Sequence, residues 1–134
     1  MPHLQFDVNK KLNSEQRKIF VEYVKSIFSE IMRTGVNHIA VSLREFPKHS
    51  LTLGRAEVGD IVCLMNLDIR DGRTMKQKRE LVKKYMEGVE EILGIRINNQ
   101  YITYTGHQGN DFNLYEKCLE EWTDSDNPLG KIDK

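Results

Sequence analysis

At 134 residues and 15.7 kDa the chain has the size of one compact domain, not two. Its 39% hydrophobic content supplies a core and excludes disorder as the main state, and 20 Lys plus Arg against 20 Asp plus Glu leave no overall field for nucleic acid or an anionic membrane. Two cysteines, Cys63 and Cys118, cannot form a disulfide framework, no apolar run reaches bilayer length, and MPHLQFDVNKK lacks a signal-peptide pattern, so a cytoplasmic protein is expected.

Leu4, Phe6 and Val8 alternate with polar residues, and this period of two predicts a half-buried strand from Pro2 to Val8. Asn13 and Gln16 form a capping box for a helix of about five turns, whose stripe is Phe20, Val24, Ile27 and Ile31. Gly35 ends it. His38 to Phe46 reads as a second strand, stopped by Pro47, and Lys48 to Asp60 as a polar loop. Ile61 to Ile69 is nearly continuous apolar sequence, the mark of a strand buried on both faces. After the turn Arg70-Asp71-Gly72-Arg73, Thr74 and Gln77 form a second capping box. Leu81, Val82, Tyr85, Val89 and Ile92 line the second helix, which Gly94 closes. Tyr101 to Thr105 is a fourth strand. The remainder is polar apart from a patch at Leu114, Leu119 and Trp122.

The two halves match at a constant offset of 61: Asp7 with Asp68, Asn13 with Thr74, Gln16 with Gln77, Phe20 with Leu81, Ile31 with Ile92 and Val41 with Ile102. Agreement in element order and loop position favours duplication over generic β-α-β patterning. The expected fold is an α+β sandwich: duplicated β-α-β units (about 2–46 and 61–105) forming a four-stranded mixed sheet with both helices on one face. A single domain over 1–122 and a flexible tail over 123–134 follow. Two helices cover one face only, so the tail or another subunit is expected on the other.

Pro2 follows the initiator Met. Removal of Met1 would expose a secondary amine at the start of a strand; an α-amino group titrates near ~8, and burial or nearby cations lower that value. Such an amine is a general base or a nucleophile toward carbonyls, although Met-Pro is also an ordinary start. Arg70 and Arg73 flank a strand-to-helix turn and make a carboxylate site with the free N–H groups of the first helical turn. Lys76, Lys78 and Arg79 read as a solvated run. His3, His38, His49 and His107 lack metal-ligand spacing, so no metal is expected. Cys63 reads as a core residue. Tyr101 and Tyr104 have opposite parity, so one faces the core and the other a pocket.

Pro2 opening a strand, the doubled β-α-β unit, and the loop-helix start GRTMKQKR (Gly72 to Arg79) together resemble the tautomerase superfamily. Its groups include 4-oxalocrotonate tautomerase (4-OT), macrophage migration inhibitory factor, 5-carboxymethyl-2-hydroxymuconate isomerase, malonate semialdehyde decarboxylase and cis-3-chloroacrylic acid dehalogenase. The resemblance runs from Pro2 to Phe112. It implies a homotrimer in which Pro2 is the catalytic proline, Arg73 grips a substrate carboxylate, Arg70 is a second substrate-binding arginine and Tyr104 is the catalytic last-strand tyrosine that polarises the carbonyl or orients water. It also implies keto-enol tautomerisation of a small 2-keto or enol acid, with no cofactor. The same site would serve hydration or decarboxylation of a small unsaturated or 3-oxo acid. Glu30 stands where the dehalogenase has a histidine, and Asp111 and Glu116 are both candidates for its C-terminal acid. A non-enzymatic trimeric interaction protein with an incidental Pro2 is the remaining reading.

Overall fold

The computed structural model describes residues 1–124; most of the tail expected from residue 123 onward lies outside the described residues. Four strands, β1 (His3–Val8), β2 (Ala40–Glu45), β3 (Cys63–Arg70) and β4 (Gln100–His107), form one sheet in the order β2-β1-β3-β4. β1 runs parallel to β2 and antiparallel to β3, and β3 runs parallel to β4, so the sheet is mixed as expected. Helices α1 (Ser14–Met32) and α2 (Met75–Gly88) pack side by side, and α2 continues into a wider π turn at Val89–Leu93.

Both capping boxes form. Asn13 and Thr74 accept from the backbones of Gln16 and Gln77, whose side chains accept in return from the cap N–H groups. The core lies between helices and sheet: Leu4, Phe6 and Val8 from β1 and Met65, Leu67 and Ile69 from β3 meet Phe20, Val24, Phe28, Leu81 and Tyr85. Phe6 meets both Phe20 and Tyr85 edge-on, at 5.0 and 5.6 Å between centroids.

The repeat persists in the hydrogen bonds. Gln16 Nε2 donates to Ile92 O at 3.3 Å, and its counterpart Gln77 Nε2 donates to Ile31 O at 3.0 Å. The parallel register pairs His3 with Ala40 in one half and Leu64 with Tyr101 in the other, each residue shifted by the same offset. Even the left-handed residues closing the helices correspond: Arg33 at φ 54 and Gly94 at φ 73.

One expectation needs correcting. β3 is not buried on both faces; its residues alternate between buried and half-exposed until Ile69 and Arg70. Asn66 and Asp68 interrupt the apolar run on the face away from the helices, where Asp68 accepts from Gln5 Nε2 (2.9 Å) and Asn66 accepts from Thr103 and Thr105 hydroxyls (3.0 and 3.1 Å). This open face is a hydrogen-bonded polar layer. The segment after β4 leaves its central residues half-exposed, packing instead against the end of the sheet where β3 and β4 finish.

Candidate active site

The antiparallel β1–β3 register ends with His3 across from Asp68, so the start of β1 lies beside the end of β3. Pro2 is buried, and its carbonyl accepts from Ala40 N–H at 2.9 Å, which holds the start of the chain inside the sheet. At the same edge β3 ends at Arg70, beside His107 of β4. The chain then turns through Gly72, whose φ of +121 suits glycine, into the Thr74 cap. Pro2, Arg70 and Arg73 thus lie at the same end of the sheet.

Both arginines are buried, Arg70 at 7% and Arg73 at 8% exposure. Arg73 donates from Nε to Met32 O at 3.1 Å, from Nη1 to Arg70 O at 3.0 Å and from Nη2 to Thr34 Oγ1 at 2.6 Å. Met32 closes α1, where carbonyls lack helical partners, so a cation donating there satisfies both the acceptor and the helix dipole. Trp122 lies against the guanidinium on one side, 4.3 Å from its ring centroid, and Phe28 lies 5.9 Å away. Arg70 Nη1 donates to Glu120 O at 2.8 Å.

The segment after β4 therefore covers the corner. Gly109 N–H donates to the Glu121 carboxylate, Trp122 Nε1 donates to Arg33 O at 3.0 Å, and Arg33 pairs with Asp124 at 3.1 Å. Trp122 also closes over Gly72. Trp122, Thr34 and the Glu120 carbonyl were not read as site residues from the sequence; a lone tryptophan in a polar tail was the available signal.

Tyr104 is not at this corner within the chain. It pairs with Leu67, which pairs with Leu4, so its ring shares the helix-facing side. One strand, β3, separates it from β1, two inter-strand spacings or roughly 10 Å. Its hydroxyl donates to Lys78 O at 2.8 Å, and burial pushes its pKa up, partly offset by Arg79. The two tyrosines do face opposite ways: Tyr104 is the inward ring, and Tyr101, 53% exposed, faces out.

Glu30 is exposed near the end of α1, and Glu116 is exposed in the covering segment. Asp111 lies 3.5 Å from His107 Nδ1, whose Nε2 is 3.1 Å from Asp68 Oδ1. Cys63 is buried in the core, and desolvation, aided by the charge of Asp7, raises its thiol far above the ordinary range. Among the described residues no group of three His, Cys, Asp or Glu is placed to hold a metal, and no helix is long and apolar enough to cross a membrane.

No protein-family model matches this sequence, and no curated protein does. Solved structures do match in shape. A fused 4-OT, a wild-type symmetric trimer, superposes with a TM-score of 0.78 at 15% identity, over 87% of this chain and 94% of that one. The protein N1, of the cis-3-chloroacrylic acid dehalogenase family, gives 0.76 at 20% identity over 89% and 84%. FG41 malonate semialdehyde decarboxylase, inhibited by 3-bromopropiolate, gives 0.71 at 18% over 82% and 86%. The chain has the fold of tautomerase superfamily structures.

Proposed function

We propose that this chain, built on the tautomerase fold, is a keto-enol tautomerase acting on a small 2-keto or enol carboxylic acid. Pro2 is the general base after Met1 is removed. The observation that supports this reading is the antiparallel β1–β3 pairing, which puts the start of β1, with buried Pro2 just before it, at the end of the sheet where β3 finishes at buried Arg70. The neutral Pro2 nitrogen takes a proton from the carbon next to the substrate carbonyl. The C–H electron pair moves into the enolate, and the resulting ammonium returns the proton to the enolate oxygen.

Arg70 holds the carboxylate and offsets the developing negative charge, the term with the largest electrostatic leverage in such chemistry. Reaching it requires the covering segment to release its Glu120 carbonyl. Arg73, tied to Met32, Arg70 and Thr34, adds its charge and fixes the Arg70 backbone. Tyr104, bonded to Lys78, supports α2 behind the corner and acts as a positioning residue. A homotrimer, the form in which the fused 4-OT was solved, would bring a neighbour onto the half-exposed open face.

Pro2→Ala is expected to lower phenylenolpyruvate tautomerisation by about 10²-fold or more, the usual contribution of a positioned base. Full activity in that variant would overturn the proposal, as would an intact mass showing Met1 retained, because the Pro2 nitrogen would then be a non-basic amide. The pairing of Arg70 with Arg73 also favours a second reaction on this site, hydration or decarboxylation of a small unsaturated or 3-oxo acid. Turnover of malonate semialdehyde followed by NMR separates the two.

A further inference from the structure

The offset of 61 gives the Pro2 corner a counterpart at the opposite end of the sheet, where β1 ends, β3 begins and α2 stops. The Arg73 bond to Met32 O has its equivalent there in Lys10 Nζ donating to Leu93 O at 2.8 Å, since residue 93 is residue 32 shifted by the offset. The covering segment closes the first corner. The second is an open cavity of about 540 Å³ with Lys10, Lys48, Asp60, Ile61 and Arg96 in its wall.

Two buried amides build that wall. Asn9, 4% exposed, donates to Lys48 O at 2.8 Å and Asp60 O at 3.0 Å, while its Oδ1 accepts from Val62 N–H at 2.7 Å. Asn99, 6% exposed, donates to Ile61 O at 3.1 Å and reaches Asp60 Oδ2 at 3.4 Å. The loop between β2 and β3 is therefore braced in place, so the cavity is preformed. Three cations face one carboxylate, and that carboxylate already accepts from Glu57 N–H at 3.1 Å. The Lys48 and Arg96 side chains have no hydrogen-bond or ion-pair partner among the described residues. Ile61, 39% exposed, offers apolar surface beside them.

We infer that this second pole binds a small organic oxyanion, a carboxylate or phosphate group on a compact apolar body, between Lys48, Arg96 and Lys10. Binding there is without turnover: the position matching Pro2 is Cys63, inside the chain, with a backbone amide in place of an amine and a buried side chain. Cations set on a braced wall are organised for an anion before it arrives, which reduces the ordering cost of binding.

The test is an amide ¹⁵N–¹H NMR titration of the full chain with benzoate and, separately, inorganic phosphate. Saturable shifts at Asn9, Lys10, Gly59 and Asn99 are expected with benzoate, and Lys48→Ala/Arg96→Ala should weaken them at least about tenfold. Both substituted side chains are exposed, and unchanged core amides would verify the variant's fold. Pro2→Ala should bind as the parent does, which separates this site from the proposed catalytic one. Phosphate binding equally well means the oxyanion group alone carries recognition, and benzoate binding alone means the apolar body contributes; both support the site. Three results would overturn it: no saturation by either probe up to about 10 mM, the same affinity in the double variant, or shifts centred on Arg70 and Arg73.

Discussion

With Nε and both terminal nitrogens donating to Met32 O, Arg70 O and Thr34 Oγ1, the Arg73 guanidinium closes the last turn of α1 onto the β3–α2 turn. A lysine could keep the charge but not the planar fork that reaches three acceptors in different directions. Arg73→Lys is therefore expected to lose about 2–4 kcal/mol of stability, because buried acceptors lose charged donors and Trp122 loses the flat partner it packs on. A lowered urea midpoint at unchanged m-value would show it; an unchanged midpoint would mean the fork carries no net stability. The string GRT made this arginine visible in the sequence, but not its acceptors. Met32 is 41 positions away, and a guanidinium held by carbonyls of the same chain has the same local sequence as one awaiting a carboxylate. The Glu120 acceptor of Arg70 and the place of Trp122 were hidden in the same way, through contacts that only the fold brings together.

The helices show which element features are legible locally and which are not. Each capping box lies within four residues, and both formed where Asn13-Gln16 and Thr74-Gln77 stand. The way the helices cross is a tertiary matter. Tyr23 hydroxyl donates to Lys84 O at 2.5 Å and Tyr85 hydroxyl to Val24 O at 2.8 Å, each reaching the residue offset from itself by 61 positions. Residues that touch their own repeat equivalents lie beside the pseudo-two-fold axis, so these bonds mark where it passes between α1 and α2. There Gly88 faces the Tyr23 ring so closely that an added Cβ would overlap it. Helix propensity alone favours alanine over glycine by about 1 kcal/mol, whereas overpacking a rigid ring costs about 1–3 kcal/mol. The ring should win. Gly88→Ala is expected to destabilise, and Gly88→Ala/Tyr23→Ala should cost less than the sum of the single changes, a coupling that denaturation of the four proteins would measure.

Across the whole molecule, the sheet keeps its apolar side under two helices and meets solvent with a polar layer, including the His3–Ser42 bond at 2.7 Å and the Arg44–Asp7 pair at 2.8 Å. Alternation along β1 made that layer readable. Along β3 the apolar letters around Asn66 and Asp68 masked it, because sequence cannot assign Leu64 to the open side until the register is known. At one end of the layer His107 lies between Asp68 and Asp111. Its hydrogen bond to Asp68 raises its pKa above 6.5, with the charges of Asp68 and Asp111 adding to the effect and burial opposing it. A histidine held above its unfolded value binds its proton more tightly when folded. The stabilisation is thus complete below the unfolded value and lost as pH rises through the folded one. Urea midpoints should fall as pH rises from about 6.5 through the raised folded value, and His107→Asn should flatten that part of the profile while keeping a neutral hydrogen bond to Asp68. A fall of equal size in His107→Asn would assign the pH dependence to another group.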